Sequence, residues 1–168
     1  MTVKKVEKDL DALTLDLTAE FDATPERVWQ LWADPRQLER WWGPPTYPAT
    51  FTEHDLTPGG RMAYFMTGPT GPTPPSWWEV LEVDPPRSLS FRDGFANEDG
   101  TPNTDFPEVV VNVAISEMAS GRTRMSINSQ FPTRAGMDQL VAMGMVEGMT
   151  EAVGQIDAIL AEPVGARA

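Results

Sequence analysis

The only histidine of the chain is the first candidate for acid–base chemistry. His54 lies between the carboxylates Glu53 and Asp55, and a carboxylate that orients an imidazole is a common arrangement in general-base catalysis. These residues fall on a predicted strand, however, where neighbouring side chains point to opposite faces of the sheet. Neither carboxylate can then easily orient the imidazole, so we expect His54 to lie at the surface or at a strand edge.

The residue types and motifs of the sequence argue against a metal site and against a nucleotide-binding site. The chain has no cysteine and one histidine, which excludes thiolate and histidine-rich metal sites. The acidic turn at residues 97–100 is the nearest approach to a calcium loop, and it lacks the spaced carboxylates of such a loop. The sequence also has no Gly-x-Ser-x-Gly elbow, no P-loop and no Gly-x-Gly-x-x-Gly turn after a strand. We therefore predict no catalytic residue, no metal and no cofactor.

Tyr64 is a candidate ligand contact. It shares one side of a predicted strand with Met62 and Met66, the more apolar side, and is therefore predicted to point inward. A buried tyrosine hydroxyl needs a hydrogen-bond partner, which can come from the protein or from a ligand. Arg61 lies on the opposite side of this strand and is predicted to face solvent.

Four of the tryptophans form two adjacent pairs, Trp41 with Trp42 and Trp77 with Trp78. In each pair one ring can point inward while the other stays at the rim. Such rings either pack the core or line the mouth of a pocket, where a large ring with one polar handle suits amphipathic ligands. Trp42 and Trp78 are the pocket candidates.

These residues are predicted to lie on an α+β framework. Apolar residues alternate with period two over residues 13–21, which predicts a first strand. Thr24-Pro25 and Asp34-Pro35 are start signals for two short helices. A sustained 3.6-residue apolar stripe predicts one long helix over residues 133–162. Turn residues between these helices separate six further strand patterns, at residues 49–56, 61–66, 77–83, 88–92, 108–118 and 123–131.

Two loops and the termini complete this outline. Residues 68–75 and 93–107 are predicted as long loops, which could rim an opening. Residues 1–10 and 163–168 are predicted as flexible termini on either side of a single domain at residues 11–162.

The chain is strongly acidic, with 25 Asp and Glu against 13 Lys and Arg and a net charge of -12. Nucleic acids and the cytoplasmic membrane leaflet are anionic, so we predict neither as a partner. The chain has no apolar run near the ~20 residues of a transmembrane helix and no apolar signal segment, so we expect a cytoplasmic protein. The acidic residues of the last helix predict either a solvated face or a docking surface for a basic protein partner. They are Asp138, Glu147, Glu151, Asp157 and Glu162.

Six short segments, in the same order, resemble one known family. They are ATPERVW at residues 23–29, DP at 34–35, RWWGP at 40–44, DLTPGG at 55–60, EVDPPRSL at 82–89 and GMTEAVGQI at 148–156. Together they are similar to the AHSA family, the homologues of the activator of heat-shock-protein ATPase, in the START-like, birch-pollen-allergen-like (SRPBCC) superfamily. The resemblance implies a helix-grip fold, in which a curved antiparallel sheet of about seven strands wraps around a long C-terminal helix. The superfamily includes lipid carriers, polyketide cyclases and a co-chaperone domain, so the resemblance indicates shape more than activity.

Two glycines on the apolar stripe of the last helix suggest space inside this fold. Gly144 and Gly148 are four residues apart, so both should face the sheet. A glycine within a helix costs about 1 kcal/mol relative to alanine; either close backbone packing or a void would explain the pair. We predict a cavity between the sheet and this helix. Its candidate lining residues are Trp42, Met62, Tyr64, Met66, Trp78, Met125, Ile127, Val141, Gly144, Met145 and Gly148.

The predicted function is non-catalytic binding of a small, largely apolar or amphipathic molecule in this cavity. One alternative is a polyketide cyclase-like or lyase-like enzyme that uses the same cavity. An inward acid with a shifted pKa would identify it, and Glu79 and Glu117 are the nearest acids. The other alternative is a co-chaperone-like module that binds proteins.

Overall fold

One curved, unclosed antiparallel sheet organises the part of the chain that the computed structural model describes, residues 3–162. Its strands are β1 (Val3–Asp9), β2 (Thr14–Phe21), β3 (Ala49–His54), β4 (Arg61–Gly68), β5 (Gly71–Pro72), β6 (Ser76–Asp84), β7 (Ser88–Phe95), β8 (Val109–Glu117) and β9 (Thr123–Gln130). They lie in the order β1-β2-β9-β8-β7-β6-β4-β3, and β5 pairs with β4. The predicted α+β class and antiparallel sheet are confirmed, with two strands, β1 and β5, beyond the prediction.

Strand β1 corrects the predicted flexible terminus at residues 1–10 over Val3–Asp9, and residues 1–2 lie outside the described residues. It pairs antiparallel with β2, where Val6 lies opposite Leu17. Because β1 is mostly charged, with only Val3 buried, its period-two signal is weak. Hydrogen bonds between the backbones of β1 and β2 hold β1 in place, whereas the side chains of β1 contribute little. Residues 163–168, the other predicted flexible segment, lie outside the described residues.

The inner face of the sheet follows the predicted alternation. In β2, every second residue from Leu15 to Phe21 is buried, and the residues between them are half-buried. Strands β8 and β9 repeat this pattern and bury Val109, Val111, Val113, Ile115, Met125 and Ile127. The period-two pattern therefore predicted correctly which side of these strands faces the core.

Strand β7 is longer than predicted. It extends to Phe95, whereas the sequence pattern ended the strand at residue 92 and began a loop at residue 93. Alternate residues of a strand share one face, so Asp93 lies on the same face as the buried Phe91. The extension thus brings an acidic side chain to the inner face of the sheet.

Two short helices follow β2, as predicted: α1 (Pro25–Ala33) and α2 (Pro35–Leu38). Thr24 and Asp34 cap them, since their side chains accept hydrogen bonds from backbone N–H groups of the first turns at 3.2 and 2.9 Å. Helix α1 places Trp32 fully inside the core. The start signals in the sequence therefore located both helices.

The predicted single helix over residues 133–162 is wrong in its continuity. The segment forms three helices, α3 (Arg134–Ala142), α4 (Met145–Gly154) and α5 (Ile156–Leu160). Helix α3 ends before Gly144, whose φ of +91° is left-handed and thus favours glycine. Gly144 therefore lies in a junction and not on a helix face. None of the helices within residues 3–162 is both long and apolar enough to cross a lipid bilayer.

Different segments of the chain lie at the two ends of the sheet. At the α1 end, β2 leads into helix α1, and Phe21 lies opposite Thr123 at the start of β9. At the opposite end, which we call the loop end, lie Gln130 of β9, Asp93 of β7 and Ser76 of β6. The β4–β6 and β7–β8 connections also lie at the loop end, and α3 begins there after β9. The two predicted long loops thus flank one end of the sheet.

Candidate functional site

Aromatic rings fill the interior next to β3, β4, β6 and β7. Trp78 stacks on Phe91 with ring centres 3.8 Å apart, and Trp42 meets Trp78 edge-on at 4.8 Å. Phe51 stacks on Tyr64 at 4.9 Å. These rings pack against one another, so space for a ligand has to lie beside them or be opened by their movement.

Four polar side chains form what we call the inner polar patch: Tyr64 on β4, Ser76 and Trp78 on β6, and Asp93 on β7. The register places Tyr64 opposite Ser76 and Trp78 opposite Asp93. Directly opposed side chains of an antiparallel pair have Cβ atoms about 4.5–5.5 Å apart. The Tyr64 hydroxyl donates to Asp93 Oδ1 at 3.0 Å, and the side chains of Ser76 and Trp42 are further hydrogen-bond partners of this hydroxyl. Three neighbouring strands thus bring these polar groups together at the loop end.

Burial controls the protonation of the inner polar patch. Loss of hydration raises the pKa of Asp93 from 3.8 to about 7, although hydrogen bonds from Tyr64 and from the Gly94 backbone oppose this rise. Burial, and then the negative charge of Asp93, raises the pKa of Tyr64 well above its usual value. Within residues 3–162, no lysine or arginine forms an ion pair with Asp93. Asp93, which keeps some contact with solvent, therefore exchanges its proton near neutral pH while Tyr64 stays protonated.

The indole N–H of Trp78 adds an unused donor to this patch. Trp78 is 0% exposed, and its Nε1 atom has no hydrogen-bond acceptor among the described residues. A buried donor without a partner costs about 1–3 kcal/mol. The patch therefore combines an acid that keeps its proton up to about neutral pH with a donor that the protein itself does not satisfy.

The predicted cavity residues divide into two groups by burial. The buried group is Met62, Tyr64, Trp78, Met125 and Ile127, and the half-buried group is Trp42, Met66, Val141, Gly144, Met145 and Gly148. All the non-glycine members belong to or pack against one core cluster, so the fold does bring them together. Their role as ligand contacts stays a prediction.

The half-buried members of α3 and α4 surround the Gly144 junction. Helix α3 buries Leu140 before the junction, and α4 buries Ala152 and Val153 in its second half. Apolar residues between these points, such as Met145, are only half-buried. The C-terminal segment therefore covers the core less closely over residues 141–149 than on either side. A Cβ atom built on Gly148 meets no atom within 4 Å, so this glycine does not pack closely against a strand; that the space beside it is a cavity stays a prediction.

Asp93 is the functional candidate that sequence reasoning missed. The two acids named instead, Glu79 and Glu117, are exposed, and Glu79 forms an ion pair with Arg92 at 3.0 Å. A signal for Asp93 did exist, because the alternation of Leu89 and Phe91 continues through residue 93 to Phe95. The assignment of residue 93 to a loop hid it.

The other sequence candidates have structural partners. His54 ends the edge strand β3, and its Nε2 atom lies 3.0 Å from the carbonyl oxygen of Trp32. Arg61 is exposed and donates to the carbonyl oxygen of Gly100 at 2.8 Å. Neither residue lies in the inner polar patch. Residues 3–162 also bring together no group of three histidine, aspartate or glutamate side chains that could hold a metal ion.

A shallow surface groove of about 570 Å³ lies away from this site, over the turn between β1 and β2. It shares no residue with the predicted cavity and is lined by mostly charged and polar side chains, which suit water better than an apolar ligand. The lining residues are Glu7, Lys8, Asp9, Leu10, Asp11, Thr14, Asp16 and Arg134.

A curved antiparallel sheet with two short helices after its first long strand and with C-terminal helices over its inner face defines a helix-grip protein of the START-like class. The family model described as "Activator of Hsp90 ATPase homolog 1-like protein" matches residues 22–161. The chain therefore belongs to this family, as the sequence motifs indicated.

Solved structures of similar proteins agree with this assignment. A crystal structure of a protein from Mycobacterium smegmatis is 48% identical, has a TM-score of 0.88, and the alignment covers 96% of this chain and 98% of that one. A solution NMR structure of a protein from Arthrobacter aurescens is 49% identical, with a TM-score of 0.91 and coverage of 99% and 96%. DynU16, a protein in the dynemicin biosynthetic locus, is 20% identical, with a TM-score of 0.58 and coverage of 88% and 47%, and shares the fold alone. No curated protein matches the chain.

Proposed function

We propose that the protein binds a small, largely apolar molecule between the loop end of the sheet and the Gly144 junction, without transforming it. The observation that carries this proposal is the incomplete cover of the core over residues 141–149. Half-buried apolar side chains there lie between fully buried parts of α3 and α4, and a ligand that filled the gap would bury them.

The rim of this region also suits an apolar ligand. Phe95 and Phe106 are half-buried at the loop end, with ring centres 4.8 Å apart. Tyr64 and Asp93 supply polar groups that could fix the orientation of a mostly apolar molecule. DynU16, which has the same fold, lies in a biosynthetic locus for a small molecule, dynemicin, and this also favours a small-molecule role.

Two glycine variants on α4 test this proposal. A Cβ atom on Gly148 or on Gly154 meets nothing within 4 Å, but Gly148 is half-buried and Gly154 is exposed. Gly148→Leu should fill the proposed space, and Gly154→Leu, at the last residue of α4, is the control with the same change of side chain. We expect both variants to be as stable as the parent or slightly more stable, since glycine costs about 1 kcal/mol in a helix.

The measurement is the fluorescence of the neutral probe N-phenyl-1-naphthylamine, titrated with each protein. We expect saturable binding to the parent and to Gly154→Leu, and at least a tenfold weaker affinity for Gly148→Leu. A parent protein that binds no probe, or a Gly148→Leu variant that binds it as well as the parent, would overturn the proposal. Gly144 is unsuited to this test, because its positive φ strains any side chain whatever the space.

A second candidate function is an enzyme of the polyketide cyclase or lyase kind that uses the same site. The observation that favours it is Asp93, since a pKa of about 7 suits a general acid or base at neutral pH. In that case Asp93→Asn would keep ligand affinity and abolish conversion of the ligand. A co-chaperone-like role through the acidic face of the C-terminal helices, and a cytoplasmic location, stay predictions.

A further inference from the structure

The inner polar patch has a specific set of unused hydrogen-bonding groups. A carboxyl group offers about four lone-pair sites, and in Asp93 the Tyr64 hydroxyl and the Gly94 backbone use only part of them. On the facing position of β6, the N–H of Trp78 has no acceptor within the described residues. Through Asp93 the patch can accept a hydrogen bond from a small group of a ligand, and through Trp78 it can donate another hydrogen bond to that group.

The charges around the patch limit what that group can be. Asp93 is the one charged side chain on the inner faces of β4, β6 and β7, because the other charged residues of these strands lie on the outer faces: Arg61, Glu79, Glu82, Asp84 and Arg92. The inner-face neighbours from β4, β6, β7 and β8 are apolar: Met62, Met66, Val80, Phe91, Phe95, Val109 and Val111. A carboxylate on the ligand would find no cation here and would face the acid Asp93, at a cost in desolvation and repulsion.

The rings beside the patch favour a planar partner. A chain of ring contacts, with ring centres no more than 6.3 Å apart, links Trp42, Tyr64, Trp78 and Phe51. Trp42 is the half-buried member, on the loop after α2, and covers Trp78 edge-on. A flat aromatic molecule that displaced or slid beside Trp42 would keep such contacts and reach the N–H of Trp78.

We infer that the ligand is a planar aromatic compound whose polar end is an uncharged hydroxyl group, which donates to Asp93 and accepts from Trp78. This inference rests on the proposed binding function and names its ligand class. A hydroxyl group is both donor and acceptor, as the patch requires. Beside the ionised form of Asp93, an ether or a ketone can satisfy only the Trp78 donor, and a carboxylate has no proton to give to Asp93.

Four naphthalene probes separate these possibilities by calorimetric titration of the full chain at about pH 8.5, where Asp93, with a pKa of about 7, is ionised. They are naphthalene, 2-naphthol, 2-methoxynaphthalene and the anion 2-naphthoate. We expect the parent to bind 2-naphthol at least tenfold more tightly than each of the other three. This ranking depends on no variant and so stands even if a substitution impairs folding.

Two variants assign the preference to the patch. Trp78→Phe keeps a ring but removes the N–H, and we expect it to reduce the 2-naphthol preference over naphthalene at least threefold. Asp93→Asn removes the negative charge, and we expect 2-naphthoate to bind it at least tenfold more tightly than it binds the parent. Asp105→Asn removes a carboxylate from an exposed position in the β7–β8 connection and should change none of the affinities.

The outcomes distinguish this inference from the proposed function. If naphthalene binds and 2-naphthol binds no better, or if Asp93→Asn leaves 2-naphthoate binding unchanged, the hydroxyl assignment is wrong and apolar ligand binding stands. If none of the four probes binds the parent, both are wrong.

Discussion

Replacement of Asp93 by asparagine should change how the stability of the protein depends on pH. In the folded protein the pKa of Asp93 is raised from 3.8 to about 7 by burial. Between these two values the unfolded chain loses the proton while the folded chain still holds it. The folded state thus binds more protons, so the free energy of unfolding falls as the pH rises through this window. Above about pH 7 both states are ionised and no further stability is lost.

The size of the effect follows from the same two values. At about 1.4 kcal/mol per pH unit, the interval from 3.8 to about 7 corresponds to roughly 4 kcal/mol. Asp93 keeps some contact with solvent, which reduces this to roughly 2–4 kcal/mol. About two thirds of the interval lies above pH 5, so we expect the parent to lose roughly 1.5–3 kcal/mol relative to Asp93→Asn between about pH 5 and pH 8.

Urea denaturation of the parent, Asp93→Asn and Asp105→Asn at four pH values in this range measures the difference directly. The exposed Asp105 controls for the loss of one negative charge, and its variant should track the parent. If the difference in stability between the parent and Asp93→Asn stayed constant within about 0.5 kcal/mol, Asp93 would not titrate in this window and the electrostatic reasoning would be refuted.

Three further predictions test the packing and the charge of the protein. An alanine Cβ at Gly94 would lie 2.7 Å from the Trp77 ring on the outer face of β7, so Gly94→Ala should lower the free energy of unfolding in urea by about 1–3 kcal/mol; an unchanged midpoint would contradict the close contact. The net charge of -12 should prevent micromolar binding to duplex DNA or anionic vesicles at about 0.15 M salt, and saturable binding to either in a fluorescence titration would contradict this expectation. Calcium or a chelator should leave the melting temperature unchanged, since residues 3–162 bring together no set of three metal-ligating side chains; a rise of several degrees with calcium would reveal a site.

Local signals predicted most of the fold. Thr24 and Asp34 marked the starts of both short helices because capping acts within one turn of the chain. The alternation in β2, β8 and β9 fixed their inner faces because the side-chain period of a strand is two. The family resemblance implied the helix-grip arrangement, in which a curved sheet wraps around the C-terminal helical segment.

The missed features depend on partners distant in sequence. Strand β1 forms because β2 offers it a ladder, and its own charged sequence gives no such signal. The 3.6-residue stripe ran through Gly144 unbroken, since apolar periodicity does not report the backbone angle of a single glycine. Asp93 was missed because the end of β7 was placed three residues too early, and its hydrogen bond to Tyr64 joins residues 29 positions apart.

The distribution of unsatisfied polar groups is a further argument for ligand binding. Two buried polar groups elsewhere in the core show the usual arrangement: the Thr123 hydroxyl donates to the carbonyl oxygen of Ala23 at 2.6 Å, and Trp41 Nε1 donates to that of Leu31 at 3.0 Å. Two buried side-chain polar atoms of the described residues lack one, Trp78 Nε1 and the Ser129 hydroxyl.

The Trp78 donor differs from Ser129 in its surroundings. It lies opposite an acid whose pKa burial has raised to about 7, so two destabilising features coincide on neighbouring strands. Apolar residues at both positions would pack the sheet without either cost. Destabilising polar groups that cluster at one place are typical of sites arranged for a partner, because the partner supplies the missing bonds. The coincidence therefore favours a role for the inner polar patch in binding over a role in packing.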